Sequence, residues 1–136
     1  MSEQNVEVVR GIYAAFLRGD VAHIVGQLGE KFTWINPGGA DVPYAGVRNT
    51  PAEVAEFFAK LGAAVDVISF EAREYTASED KVVAVGSFQA RVKSTGKTFF
   101  YEWAMWWRLS GGKVIEYRSY ADTAVEAAAF VKSAAA

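Results

Sequence analysis

Asp122 is the residue of this chain best placed to move a proton. It stands in YRSYADTAVE, residues 117–126, after a run that alternates like a strand and before one that reads like a helix. A carboxylate at such a junction either caps the helix or points into a pocket as a general base. Thr123 followed by Glu126 is itself a Thr-x-x-Glu capping box, which would leave Asp122 free for other work. Strict alternation argues the other way. It groups Asp122 with Glu116, Arg118 and Tyr120, opposite Ile115, Tyr117, Ser119 and Ala121, so a cavity-facing Asp122 needs a bulge or twist at the strand end. We expect that orientation.

The remaining polar candidates are fewer than the length suggests. His23 is the one histidine, and it falls off the apolar face of a short helix, where solvent is its expected surrounding. Tyr13, Tyr44 and Tyr101 could each donate a hydrogen bond to a carbonyl oxygen. Arg118 could orient an anionic ligand, pair with Asp122, or pair at the surface with Glu116 or Glu102. Trp34, Trp103 and Trp107 suit a core and, in a fold with a cavity, its walls. The segment NPGGADVPYAG has glycines but neither the phosphate-loop spacing nor its Lys-Ser/Thr pair, and reads as a rim loop.

Composition narrows the chemistry further. The chain has 136 residues, 51% hydrophobic and 22% charged, with a net charge of -2, which suits one globular domain spanning 1–136. No block of basic residues marks a nucleic-acid partner. Without cysteine there is no disulfide, thiol catalysis or thiolate metal site, and one histidine cannot build a His-His-carboxylate zinc site. No apolar run reaches the ~18 residues of a membrane span. The expectation is a cytoplasmic protein with neither metal nor organic cofactor and no membrane or nucleic-acid partner.

Those residues need elements to hold them. In EQNVEVVRGIYAAFLRGD, Val6, Val9, Tyr13, Phe16 and Leu17 share one helical face, with Gly19 to end the helix and Asp20 to cap a short second one. KFTWI reads as a strand stopped by Asn36-Pro37-Gly38-Gly39. TPAEVAEFFAKLG carries a Thr50 cap, Pro51 at the first helical position and Glu53 to complete a capping box, and Gly62 can close it. From Val65 the period becomes two. Strands are expected over 65–76, 81–93, 97–109 and 113–121, joined by hairpin turns, with an Ala-rich helix from about 124. Helices first and a strand meander afterwards predict an α+β fold with helices on one face of a curved antiparallel sheet.

The strand faces suggest where a ligand would sit. In 97–109 one face is Phe99, Tyr101, Trp103, Met105, Trp107 and Leu109, while Phe100 and Trp106 lie on the other. Aromatic residues on that second face predict a covered surface, most simply a homodimer interface. In 81–93 the face Val82, Ala84, Gly86, Phe88, Ala90, Val92 is small, and small residues opposite large aromatics can leave a void.

Taken together, YAAFLRGD, FTWINPGG, GVRNTPAEVAEFF and GGKVIEYRSYAD resemble the nuclear transport factor 2-like superfamily, in its SnoaL-like and ketosteroid-isomerase-like branch. The resemblance implies a cone-shaped fold around an apolar cavity, commonly as a dimer. Steroid-isomerase chemistry is disfavoured: its base position falls on Asn36, its protonated acid on Met105 and its Tyr on Ile12. The chain is also similar to limonene epoxide hydrolases from Thr95 to Asp122. In that stretch Asp122 falls on the water-activating Asp; outside it, WIN puts Asn36 on the water-holding Asn, while the acid arm falls on Gly86 and Phe88 and is missing. SnoaL-type polyketide cyclases likewise carry an Asp at the position of Asp122, as a general base.

The expected activity is that of a cofactor-independent acid–base enzyme of cyclase, isomerase, hydrolase or dehydratase type. Its substrate would be a small apolar carbonyl, polyketide-like or epoxide compound. Asp122 and Asn36 would be catalytic, and Trp34, Phe88, Trp103, Met105, Trp107, Tyr13 and Arg118 would bind the substrate. The alternative is a non-catalytic ligand-binding or dimerisation module on the same scaffold.

Overall fold

The computed structural model describes residues 2–132. Helix α1 (Ser2–Leu17) buries Val9, Ile12, Tyr13 and Ala15. Its buried stripe is rotated toward Ile12 relative to the expected one, which leaves Leu17, at the helix end, 62% exposed. Gly19, at φ 73°, terminates it: the Gly19 N–H donates to the Phe16 carbonyl and the Asp20 N–H to that of Ala15. That paired pattern requires the left-handed backbone that glycine adopts without strain. Asp20 then caps α2 (Val21–Gly26) by accepting from the His23 N–H at 3.0 Å. His23 is half-buried rather than solvent-exposed, its Nε2 lying beside Gly11.

Strand β1 (Leu28–Asn36) starts three residues earlier than KFTWI suggests and is followed by the short β2 (Gly46–Arg48). Helix α3 (Pro51–Ala64) has the expected reciprocal capping box between Thr50 and Glu53, and it runs two residues beyond Gly62. The meander is β3 (Val65–Ser78), β4 (Lys81–Val92), β5 (Thr98–Ser110) and β6 (Lys113–Ala121), and α4 (Thr123–Ala129) follows it.

These strands form one curved sheet in the order β2-β1-β6-β5-β4-β3. All neighbours are antiparallel except β1 and β6, which run parallel. A bulge in β6 opposite Arg108 and Leu109 decides which face its later residues take. Val114 pairs with Leu109 but Glu116 pairs with Arg108, so one extra residue shifts the alternation. Val114 and Tyr117, three apart, therefore both face inward and are buried.

The helices cover the inner face, α1 against β3 and β4, α3 against α2 and β3, and α4 against β5. The small face of β4 packs inward as expected. At Gly86 smallness is compulsory: an added Cβ would lie 1.9 Å from the Glu71 carbonyl oxygen and 2.6 Å from Cζ2 of Trp103. The outer face keeps Phe100 at 54% exposed, with Trp106 half-buried beneath the Arg108 guanidinium.

Candidate functional site

Between the inner face of the sheet and the helices lies a cavity leaving about 90 Å³ for the centres of water-sized molecules. One water needs roughly 10–15 Å³ by that measure, so the space suits a small ligand. Its walls are mostly aromatic rings. Trp34 packs on Tyr117 at 4.2 Å between ring centroids, Trp107 on Tyr117 at 4.5 Å, and Trp103 stacks on Phe70 at 5.1 Å. Strand alternation explains this: Trp103, Met105 and Trp107 are every second residue of β5, and Tyr117, Ser119 and Ala121 every second residue of β6 beyond its bulge. The expected wall residues Trp34, Phe88, Trp103, Met105, Trp107 and Tyr13 all line the cavity, and so does Asn36.

Asn36 is tied into a polar cluster. Its Oδ1 accepts from the Trp34 indole at 2.8 Å, and its Nδ2 donates to the Tyr117 hydroxyl at 3.1 Å and to the Ser119 hydroxyl at 3.4 Å. The Tyr117 and Ser119 oxygens thus act as acceptors toward Asn36, and each hydroxyl keeps its own hydrogen to donate. Burial pushes the Tyr117 phenol up to about 12, so it stays a donor at neutral pH. A second cluster joins Trp107 to α1: its indole donates to the Tyr13 hydroxyl at 3.0 Å, and that hydroxyl points to the Met105 sulfur at 3.4 Å.

Two expected site residues lie elsewhere. Asp122 is exposed and caps α4, its Oδ1 accepting from the Val125 N–H at 3.1 Å. Thr123 is the first residue of the helix rather than its cap. The alternation of β6 carries on to its end without the second irregularity that would have turned Asp122 inward. Arg118 is out of the cavity for the same reason. It sits on the outer face next to Trp106 in register, with its guanidinium 5.8 Å from the Tyr120 ring centroid.

The carboxyl that does line the cavity is that of Glu126, one turn into α4 and only 4% exposed. Its Oε2 accepts from the Tyr44 hydroxyl at 2.5 Å, and Oε1 has no partner among the described residues. Burial raises its pKa above the usual carboxylate range, and the Tyr44 hydrogen bond partly offsets that rise. Tyr44 in turn is pushed up by burial and by the adjacent carboxyl. Its backbone carbonyl accepts from Arg48 at 2.9 Å, and the Arg48 guanidinium lies over Phe57.

Glu126 could have been found. In TAVEAAAF it lies three and four residues before Ala129 and Phe130, on the face that α4 buries, so it is an acid in an apolar stripe. Its fit to a capping box hid it. Among the described residues Glu126 is the one carboxyl in the lining, which holds no Lys, Arg or His, alongside four tyrosines. Among the described residues no group of three His, Cys, Asp or Glu is placed to hold a metal, and no helix is long and apolar enough to cross a membrane.

Residues 9–117 match the SnoaL-like domain family. No curated protein matches the chain by sequence. An NTF2-like protein from Burkholderia xenovorans LB400 is 32% identical, with a TM-score of 0.88 over 96% of this chain and 98% of that one. TerC, co-crystallized with polyporic acid, is 22% identical with a TM-score of 0.83 over 93% and 98%. An LEH-like epoxide hydrolase from M. tuberculosis is 12% identical with a TM-score of 0.72 over 91% and 86%. The last two likenesses are of fold. With its bent sheet, covering helices and aromatic cavity, the chain belongs to the SnoaL-like domain family and has the nuclear transport factor 2-like fold.

Proposed function

We propose that this protein is an acid–base enzyme for a small, neutral, largely apolar carbonyl, polyketide-like or epoxide compound, with Glu126 in the role expected of Asp122. The observation that carries this reading is a buried carboxyl at an aromatic cavity, held by one tyrosine and with one oxygen unclaimed. A base needs a pKa near its working pH, and burial moves Glu126 in that direction. Among the described residues the lining has no Lys, Arg or His to receive a phosphate or carboxylate, which favours an uncharged substrate.

For a carbonyl substrate, Oε1 takes a proton from the carbon next to the carbonyl. The C–H electron pair becomes the new C=C bond and the carbonyl π pair moves to oxygen. The Tyr117 and Ser119 hydroxyls, kept pointing as donors by Asn36, stabilise that oxygen. Asn36 therefore acts by orienting donors rather than by holding water itself. The crystals of TerC with polyporic acid support a small-molecule cavity in this fold.

A panel of small cyclic ketones in D2O, followed by NMR for exchange of the protons next to the carbonyl, tests the reading. Exchange should rise with pH through the Glu126 midpoint, because only the ionised form accepts a proton. The rival reading, a non-catalytic ligand-binding module, is favoured by Gly86 and Phe88 standing where an acid arm would be. It predicts quenching of tryptophan fluorescence by ligand with no exchange at all.

A cytoplasmic homodimer belongs to the same proposal, with the whole chain 1–136 as one domain. Phe100 and Tyr120, both more than half exposed, share the outer sheet face with Trp106, Phe100 toward the start of β5 and Tyr120 opposite Ala104. Sedimentation should give twice the monomer mass, and Trp106→Glu should shift it toward monomer because an unpaired charge in an interface is costly.

A further inference from the structure

Helix α4 has seven residues, too few to be stable alone. It is held at both ends, by its own cap at the start and by another element at the end. At its start Asp122 accepts from Val125, directly after Ala121 pairs with Trp103 on β5. At its end the Thr95 hydroxyl, in the β4–β5 turn, donates to the Ala129 carbonyl at 2.6 Å, and Lys97 Nζ reaches the Val131 carbonyl. The Lys97 N–H donates back to the Thr95 hydroxyl at 3.2 Å, which fixes that turn. In the middle, Ala127 packs against Gly39, where an added Cβ would stand 3.2 Å away. Glu126 occupies the stretch between these pins.

We propose that Asp122 and Thr95 are positioning residues: they clamp the two ends of α4 so that the Glu126 carboxyl is held in the cavity against Tyr44. The proposal rests on Glu126 being the working group. In it Asp122 serves the chemistry without touching the substrate, through the backbone of one helical turn. An Asp at a strand–helix junction that sets the angle of a short helix thereby sets the depth of an acid four residues on. The titratable groups that face Glu126 are Tyr44, Tyr101 and Tyr117, all phenols held neutral by burial.

The test is the Glu126 carboxyl titration, read by ¹³C NMR in the full chain. In Asp122→Ala the helix start loosens, water reaches Glu126, and its midpoint should fall toward the ~4.3 of an exposed glutamate. Asp122→Asn, which caps almost as well, should leave the midpoint where the wild type has it. Thr95→Val should lower the midpoint as Asp122→Ala does, and Thr95→Ser should restore it. An unmoved midpoint in both Asp122→Ala and Thr95→Val overturns the clamp. So does an Asn variant that behaves like the Ala variant, because Asp122 would then act through its charge. Failure of the functional reading looks different: Glu126→Gln would keep full turnover whatever these titrations show.

Discussion

Asp122 and Glu126 are two carboxylates one helical turn apart, and they have opposite surroundings. Asp122 is in water and spends its oxygen on the Val125 N–H, while Glu126 is buried among aromatic rings with a phenol as its partner. The helix itself makes the difference. A cap lies outside the first turn, and Asp122 does so at the surface, whereas a residue four positions later can fall on the face that packs against the sheet. Chemistry needs the second environment, where desolvation raises a carboxyl toward a useful pKa. A cap needs only the first.

Substitutions at the two carboxylates and their neighbours test that contrast. The largest stability effect is expected for Glu126→Ala, which leaves the Tyr44 hydroxyl unpartnered in the interior; about 1–3 kcal/mol should be lost in a denaturant melt at acidic pH. Asp122→Ala should cost about 1 kcal/mol by loss of the cap, and Asp122→Asn only a few tenths. Thr123→Ala should cost less than Asp122→Ala, because Thr123 is inside the helix. The opposite order would restore Thr123 as the cap and free Asp122.

The pH dependence gives a subtler separation. Because the folded-state pKa of Glu126 is raised, the native protein binds more protons than the unfolded chain between the unfolded and folded midpoints. The Glu126 contribution is therefore neutral below the unfolded pKa, grows more destabilising as pH rises from that midpoint to the folded one, and is constant above it. Melts across that window should show wild-type stability falling relative to Glu126→Gln. A constant difference would mean that Glu126 is not desolvated in the folded protein.

Much of this architecture was legible from periodicity. The four meander strands, the Thr50–Glu53 capping box and the inward face of β5 follow from side-chain alternation and local hydrogen bonding, which act over a few residues. The parallel pairing of β1 with β6 was not legible, because it joins segments some eighty residues apart. The aromatic wall was readable for the same reason as β5. The polar centre was not, since YRSYADTAVE offers two self-consistent cap assignments, Asp122 with Val125 or Thr123 with Glu126. What decides between them is the long-range bond from Tyr44, which draws Glu126 inward and leaves Asp122 to cap. Arg118 stays on the outer face that strict alternation gives it, because β6 pairs regularly with β5 from Glu116 to Ala121.

If Glu126, and not Asp122, is the acid–base group of the cavity, the two isosteric amide variants must part company in one ketone-exchange assay, with folding checked by near-UV circular dichroism. Glu126→Gln should lower the exchange rate by roughly 10²–10⁴-fold, while Asp122→Asn should leave it within about twofold of wild type. A collapse in Asp122→Asn with Glu126→Gln unaffected would contradict this assignment and return the base to Asp122.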